Sequence, residues 1–156
     1  MTALAKARLL ALALPAALMA GALGSQHLGG LYPCEMCHWQ RWPHYAAIVL
    51  ALAAFATAPG RASCTLVILA AVAILASGAI GLFHAGVEYR WWQGLTRCAM
   101  SPGGGGDVLA DIMATPLVQC DRAQWTLFGV SLAGFNALFS LAGGATILAL
   151  CLKRPR

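Results

Sequence analysis

Residues 31–44 read LYPCEMCHWQRWPH. Cys34 and Cys37 enclose only Glu35 and Met36, Arg41 follows four residues after Cys37, and Trp39 and Trp42 flank that arginine. On both sides the chain becomes almost free of charge. Whether this stretch is a loop at the edge of a membrane or part of a soluble surface decides the fold.

Composition answers first. The chain has 156 residues, 60% hydrophobic and 10% charged. An ordinary soluble domain is about 25% charged, so there is too little polar surface here to enclose a core of this size. Four runs lack Asp, Glu, Lys and Arg almost entirely: Leu9–Leu31, Trp42–Gly60, Ala62–Val87 and Ala123–Leu152. Each approaches or exceeds the roughly 20 apolar residues that cross a hydrocarbon core about 30 Å thick. The expected fold is therefore all-α: one polytopic membrane domain over residues 1–156, a bundle of four transmembrane helices. The spans are expected at about 9–30, 38–59, 63–85 and 123–151, with external loops at about 31–37 and 86–122. Basic residues, an apolar run and small Ala20, Gly21 and Ala22 also give the first span the look of a cleavable signal. Its apolar stretch continues to Leu31, which favours a retained helix.

Charge placement orients the spans. Lys6, Arg8, Arg61, Lys153, Arg154 and Arg156 share one side, with no acidic residue. Arg41, Arg90, Arg97 and Arg122 share the other with Glu35, Glu88, Asp107, Asp111 and Asp121. The Lys/Arg excess marks the cytoplasmic side. Both termini are thus expected inside and both longer loops outside. The positive net charge is a topology signal; no clustered basic face suggests nucleic acid.

This topology sorts the cysteines. Cys64 and Cys151 fall at the cytoplasmic face, where thiols stay reduced, and read as small apolar fillers. Cys34, Cys37, Cys98 and Cys120 fall outside, one pair in each loop. A ring as short as Cys34–Cys37 gains little loop-closure stabilisation, whereas short CxxC pairs often exchange readily. Cys98 and Cys120 enclose 21 residues, including SPGGGGD. That pair is either a structural staple or a movable disulfide. Zinc on the CxxC pair with His38 or His44 is the metal alternative; the distant second pair and the oxidising compartment argue against it, and no metal is expected.

Extending the second span back to about Cys37 places Cys37 in the first helical turn and Arg41 at i+4 on the same face. Helix amides and a guanidinium both favour a thiolate. Had the helix begun at Pro43, this arrangement would fail. An arginine at membrane depth is costly without a partner. Arg41 is either an interfacial anchor beside Trp39 and Trp42 or a donor to a polar ligand in the bilayer. A quinone suits the second role, because its tail partitions into lipid and its ring carbonyls accept hydrogen bonds. His84, ending the third span at the same face, is a candidate second donor.

Taken in order, PCEMCHWQR, the hairpin through Arg61, FHAGVE, Cys98 and CDRAQW resemble the bacterial DsbB family over nearly the whole chain. The resemblance implies a protein-disulfide oxidoreductase of the bacterial inner membrane. Such an enzyme reoxidises the periplasmic thiol oxidase DsbA and passes the electrons to ubiquinone or menaquinone. It implies that Cys98 is attacked by the DsbA-like partner, that Cys120 then attacks Cys34, and that Cys37 is released as the thiolate facing the quinone. It implies quinone contacts for Arg41, His84 and Leu132. DsbA is a strong oxidant, near about −120 mV, so its reoxidation requires an external acceptor such as quinone. The loop between Cys98 and Cys120 departs from the family in its glycine content. Its DVLADIMAT segment is expected to form a short surface helix with Val108, Leu109, Ile112 and Met113 on one face, and Trp91 and Trp92 to anchor the loop's start. The competing readings are a thiol–quinone enzyme like the vitamin K epoxide reductases, with another dithiol partner, and a non-catalytic membrane scaffold with structural loop disulfides.

Overall fold

The computed structural model describes residues 2–95 and 120–152. They form four helices and one short hairpin: α1 Ala3–His27, α2 Glu35–Ala56, α3 Arg61–Glu88, β1 Thr126–Leu127, β2 Val130–Ser131 and α4 Leu132–Leu152. Helix α3 packs against both α2 and α4, and α1 closes the bundle against α2 and α4.

Three helices, α1, α3 and α4, are long and apolar enough to cross a membrane, and the chain is a helical membrane protein. The remaining expected span, α2, has 22 residues, about 33 Å at 1.5 Å per residue, but its first half is polar. Met36, Gln40, His44, Ala47, Ala51 and Ala54 form its buried stripe, spaced as one helical face. Trp42, Val49, Leu52 and Phe55 point outward. Large apolar groups thus cover the outside, while small or polar ones, Met36 apart, fill the inside.

The core is built accordingly from Ala7, Ala11, Ala47, Ala51, Ala54, Ala70 and Ala71, with Val67, Ile74 and Ile147. Lipid-embedded helices gain no hydrophobic drive against one another, so close packing of small residues holds them together. Gly144 is one such contact: a Cβ there would lie 2.6 Å from Leu75 Cγ.

Two ends differ from the sequence expectation. The fourth apolar run was expected to span from residue 123, but α4 starts at Leu132, because Thr126–Ser131 turn back as an antiparallel hairpin. Phe128 and Gly129 at its tip have φ of 51° and 77°, the twist that two-residue hairpin turns require. At the other end, Arg8 is more than a topology signal. It is buried, with Nε donating to Ser63 Oγ at 2.7 Å and Nη2 donating to the carbonyls of Ala54 and Thr57. It caps the carboxyl end of α2, whose last carbonyls lack helical partners.

Candidate active site

Helix α2 begins at the cysteine pair. Cys34 is its N-cap, extended at φ −78° and ψ 173°, and its sulfur accepts from the Cys37 amide at 3.3 Å. Cys37 lies in the first turn and Arg41 one turn further on, as the sequence leads one to expect. Pro43 falls inside the helix rather than at its start.

The two sulfurs lie 2.9 Å apart. Their hydrogen bond, more than any other influence, pulls the Cys37 thiol below the ordinary range. The same bond, with burial, pushes Cys34 up. The pair is therefore unsymmetrical, with Cys37 the more acidic sulfur and Cys34 the less acidic one. The expected Arg41–Cys37 pairing is weaker than the sequence suggests. The guanidinium favours the thiolate only as a lesser influence, while Nη1 donates to Gln26 Oε1 at 2.6 Å and Nη2 to the Ala22 carbonyl at 3.4 Å.

Cys120 joins this pair. It is buried in one cluster with Cys34, Met36 and Val87, with Cys37 and Phe83 packed against it. Cys98 and the DVLADIMAT segment lie outside the described residues. The start of that loop is pinned as expected by Trp92, whose Nε1 donates to the Phe83 carbonyl at 2.9 Å and whose ring stacks on Phe83. The segment after Cys120 is held by Gln124, whose side-chain amide accepts from Tyr32 N at 3.1 Å and donates to Tyr32 O at 2.6 Å. This two-point clamp ties the segment after Cys120 to the segment before Cys34.

His84, at the end of α3, reaches the dithiol: Nε2 is 3.5 Å from Cys34 Sγ and 3.7 Å from Glu88 Oε1. The ligand atoms of Cys34, Cys37 and His84 all lie within 4.8 Å of one another, a spacing that a thiophilic cation accepts. His84, not His38 or His44, is the histidine at the sulfurs.

Behind His84 runs a polar network that the sequence reading missed. Gln40 Nε2 donates to His84 Nδ1 at 2.8 Å and to the Met36 carbonyl at 3.1 Å. Asn136 Nδ2 donates to Gln40 Oε1 at 2.9 Å. His44 Nε2 lies 2.9 Å from both Asn136 Oδ1 and Ser77 Oγ. Gly81 makes room: a Cβ there would stand 2.9 Å from Asn136 Nδ2 and 3.1 Å from Gln40 Oε1. A signal was available. Polar side chains inside apolar spans are expensive and face the bundle interior, and Gln40 and His44, at i and i+4, share a face.

The dithiol, Arg41, His84 and part of this network border a cavity of about 190 Å³. Cys34, Cys37, Arg41, His84 and Leu132 line it, with Gln40, His44 and Asn136. Apolar walls come from Leu18 and Met19 of α1 and from Trp125 and Phe135. A cavity near 150 Å³ suffices for benzene, so this one accepts a substituted six-membered ring. Mostly apolar walls with a few convergent polar groups fit a quinone head, and α1 contributes both wall and the Arg41 partner.

Comparison with known proteins gives the family of the chain. The family model described as disulfide bond formation protein DsbB matches residues 5–150. A disulfide bond formation protein B from Polaromonas sp. (strain JS666 / ATCC BAA-500) is 29% identical over 148 residues, covering 90% of this chain and 86% of the relative. No solved structure matches the chain.

Proposed function

The chain belongs to the DsbB family, which places it in disulfide bond formation as a thiol oxidoreductase, and we propose that it oxidises a DsbA-like periplasmic dithiol protein at the expense of membrane quinone. The observation that carries this is that Cys34, Cys37, Arg41, His84 and Leu132 all line one and the same cavity. In this reading α2 spans the membrane as well, the chain sits in the bacterial inner membrane with both termini cytoplasmic, and the two cysteine loops are periplasmic.

The partner's thiolate attacks the Cys98 sulfur and breaks a Cys98–Cys120 disulfide; the partner's second thiol then releases Cys98. The freed Cys120 thiolate attacks Cys34, breaking Cys34–Cys37, forming Cys34–Cys120 and leaving Cys37 as a thiolate; the released Cys98 thiolate then attacks Cys120, re-forming Cys98–Cys120 and freeing Cys34 as a thiol beside Cys37. The buried contact of Cys120 with Cys34 supports this transfer. A bound quinone supplies an acceptor for two electrons and two protons. Across one cycle two partner S–H bonds are lost, one partner S–S bond forms, and the ring's two oxygens gain hydrogen. Within the protein, the Cys34 S–H holds Cys37 anionic, His84 donates toward Cys34, and Arg41 offers N–H donors at the cavity wall. The apolar walls keep water from the exchanging sulfurs.

The test is turnover of the purified full chain with a reduced DsbA-like protein and a soluble quinone, followed by quinone absorbance. Bleaching that is lost with serine at any of positions 34, 37, 98 or 120 supports the proposal. No bleaching, or bleaching that survives Cys37→Ser, contradicts it.

A further inference from the structure

The buried network has a direction, and the direction can be read from groups that only accept or only donate. The Met36 carbonyl accepts from Gln40 and the Ser77 carbonyl accepts from Asn136 at 3.2 Å, so both side-chain amides are fixed in orientation. Asn136 Oδ1 therefore faces His44, and an amide oxygen can only accept. Ser77 Oγ donates its proton to the Gln40 carbonyl at 2.8 Å, so it too can only accept from His44. Nε2 of His44 must be the protonated nitrogen.

A neutral imidazole carries one N–H and one bare nitrogen. The bare one, His44 Nδ1, is buried and has no hydrogen-bond partner. The residue is 3% exposed and is among those that line the cavity. A buried acceptor left without a donor is costly, so an occupant that supplies a hydroxyl is favoured there. The same network sets His84 the opposite way: Nδ1 accepts from Gln40 and Nε2–H faces the sulfur.

We infer that His44 selects the reduced form of the ring: its Nδ1 takes a hydrogen bond from a hydroquinone hydroxyl and has none to give a quinone carbonyl. The inference rests on the proposed quinone reaction and adds a positioning and specificity role for a residue on α2 away from the dithiol. Tighter binding of the reduced form raises the effective potential of the bound couple and draws electrons from the cysteines. Asn136 and Ser77 act through His44 by fixing its tautomer.

The test is equilibrium binding of a short-tailed benzoquinone and its hydroquinone to the full chain carrying Cys34→Ser and Cys37→Ser, which prevents turnover during titration. The parent should bind the hydroquinone more tightly. His44→Phe keeps a ring without nitrogens; it should weaken hydroquinone about tenfold and leave quinone unchanged, equivalent to about 30 mV for a two-electron couple. Equal weakening of both forms, or no change in their ratio, overturns the inference. Should His44→Phe fail to fold, Asn136→Asp decides. A carboxylate beside Nε2 favours the doubly protonated ring, makes Nδ1 a donor, and should move the preference toward the quinone; an unmoved preference overturns the inference. If neither form binds the parent, the proposed quinone reaction falls and this inference with it.

Discussion

Nε2 of His84 lies 3.5 Å from the Cys34 sulfur while its Nδ1 accepts from Gln40. The dithiol is therefore wired, through one imidazole, to a network on α2, α3 and α4. Gln40→Leu strands His84 Nδ1, at a cost of about 1–3 kcal/mol, and frees the ring to turn. Two measurements check this. The thermal midpoint in detergent should fall, and alkylation of the reduced dithiol should change its rate. Gln40→Glu should not restore either, because its oxygens cannot donate to Nδ1 when ionised.

The asymmetry of the two thiols predicts a pH dependence. Cys37 is held below the ordinary thiol range, chiefly by the Cys34 hydrogen bond, so it should alkylate half-maximally below the pH of a free thiol, about 8.5. Cys34→Ser should move that midpoint upward. Stability of the reduced protein follows in two directions. Between the lowered Cys37 value and the ordinary one, the unfolded chain holds more protons, so stability rises with pH. Above the ordinary value the folded chain keeps the Cys34 proton that the unfolded chain loses, so stability falls again. Alkylation kinetics and unfolding across this range test both signs.

Arg41 is presented to the cavity by α1, through Gln26 and the Ala22 carbonyl. Arg41→Ala should raise the apparent KM for quinone roughly tenfold or more, the worth of a hydrogen bond from a charged group. Thiol exchange between the loops should persist. Gln26→Leu leaves the guanidinium in place but unsteadied and should raise KM by less. Equal quinone kinetics for Arg41→Ala and the parent would remove Arg41 from the site.

Gln124 closes two hydrogen bonds on the Tyr32 backbone. Each is worth about 1 kcal/mol. Gln124→Ala should therefore slow transfer between Cys120 and Cys34 several-fold without changing quinone KM. Acid-quenched thiol trapping during a single turnover reads the transfer rate directly.

Much of this was legible in the chain. Apolar run lengths placed the helices, and extending the second of them back to about Cys37 put Cys37 and Arg41 one turn apart on one face, because both depend on local periodicity. Three things were not. The start of α4 was hidden because TLFGVS is as apolar as a span, and only the positive φ values at Phe128 and Gly129 reveal a turn. The i+4 spacing puts Arg41 on the face of Cys37, but it cannot show the acceptor Gln26, fifteen residues away on α1. His44 and Asn136 meet across 92 positions, a pairing that no single-chain pattern encodes, though each is conspicuous as a polar residue in an apolar run.

The central claim is that the Cys34–Cys37 dithiol delivers its electron pair to a ring in the adjoining cavity. The most direct measurement is an anaerobic single turnover. Fully reduced Cys98→Ser, Cys120→Ser protein is mixed with one equivalent of soluble quinone, and both ring absorbance and the cysteine state are followed. The account predicts one ring reduced for each Cys34–Cys37 disulfide formed, with peptide mapping locating that bond. A ring that stays oxidised, or one reduced while Cys34 and Cys37 remain thiols, contradicts it.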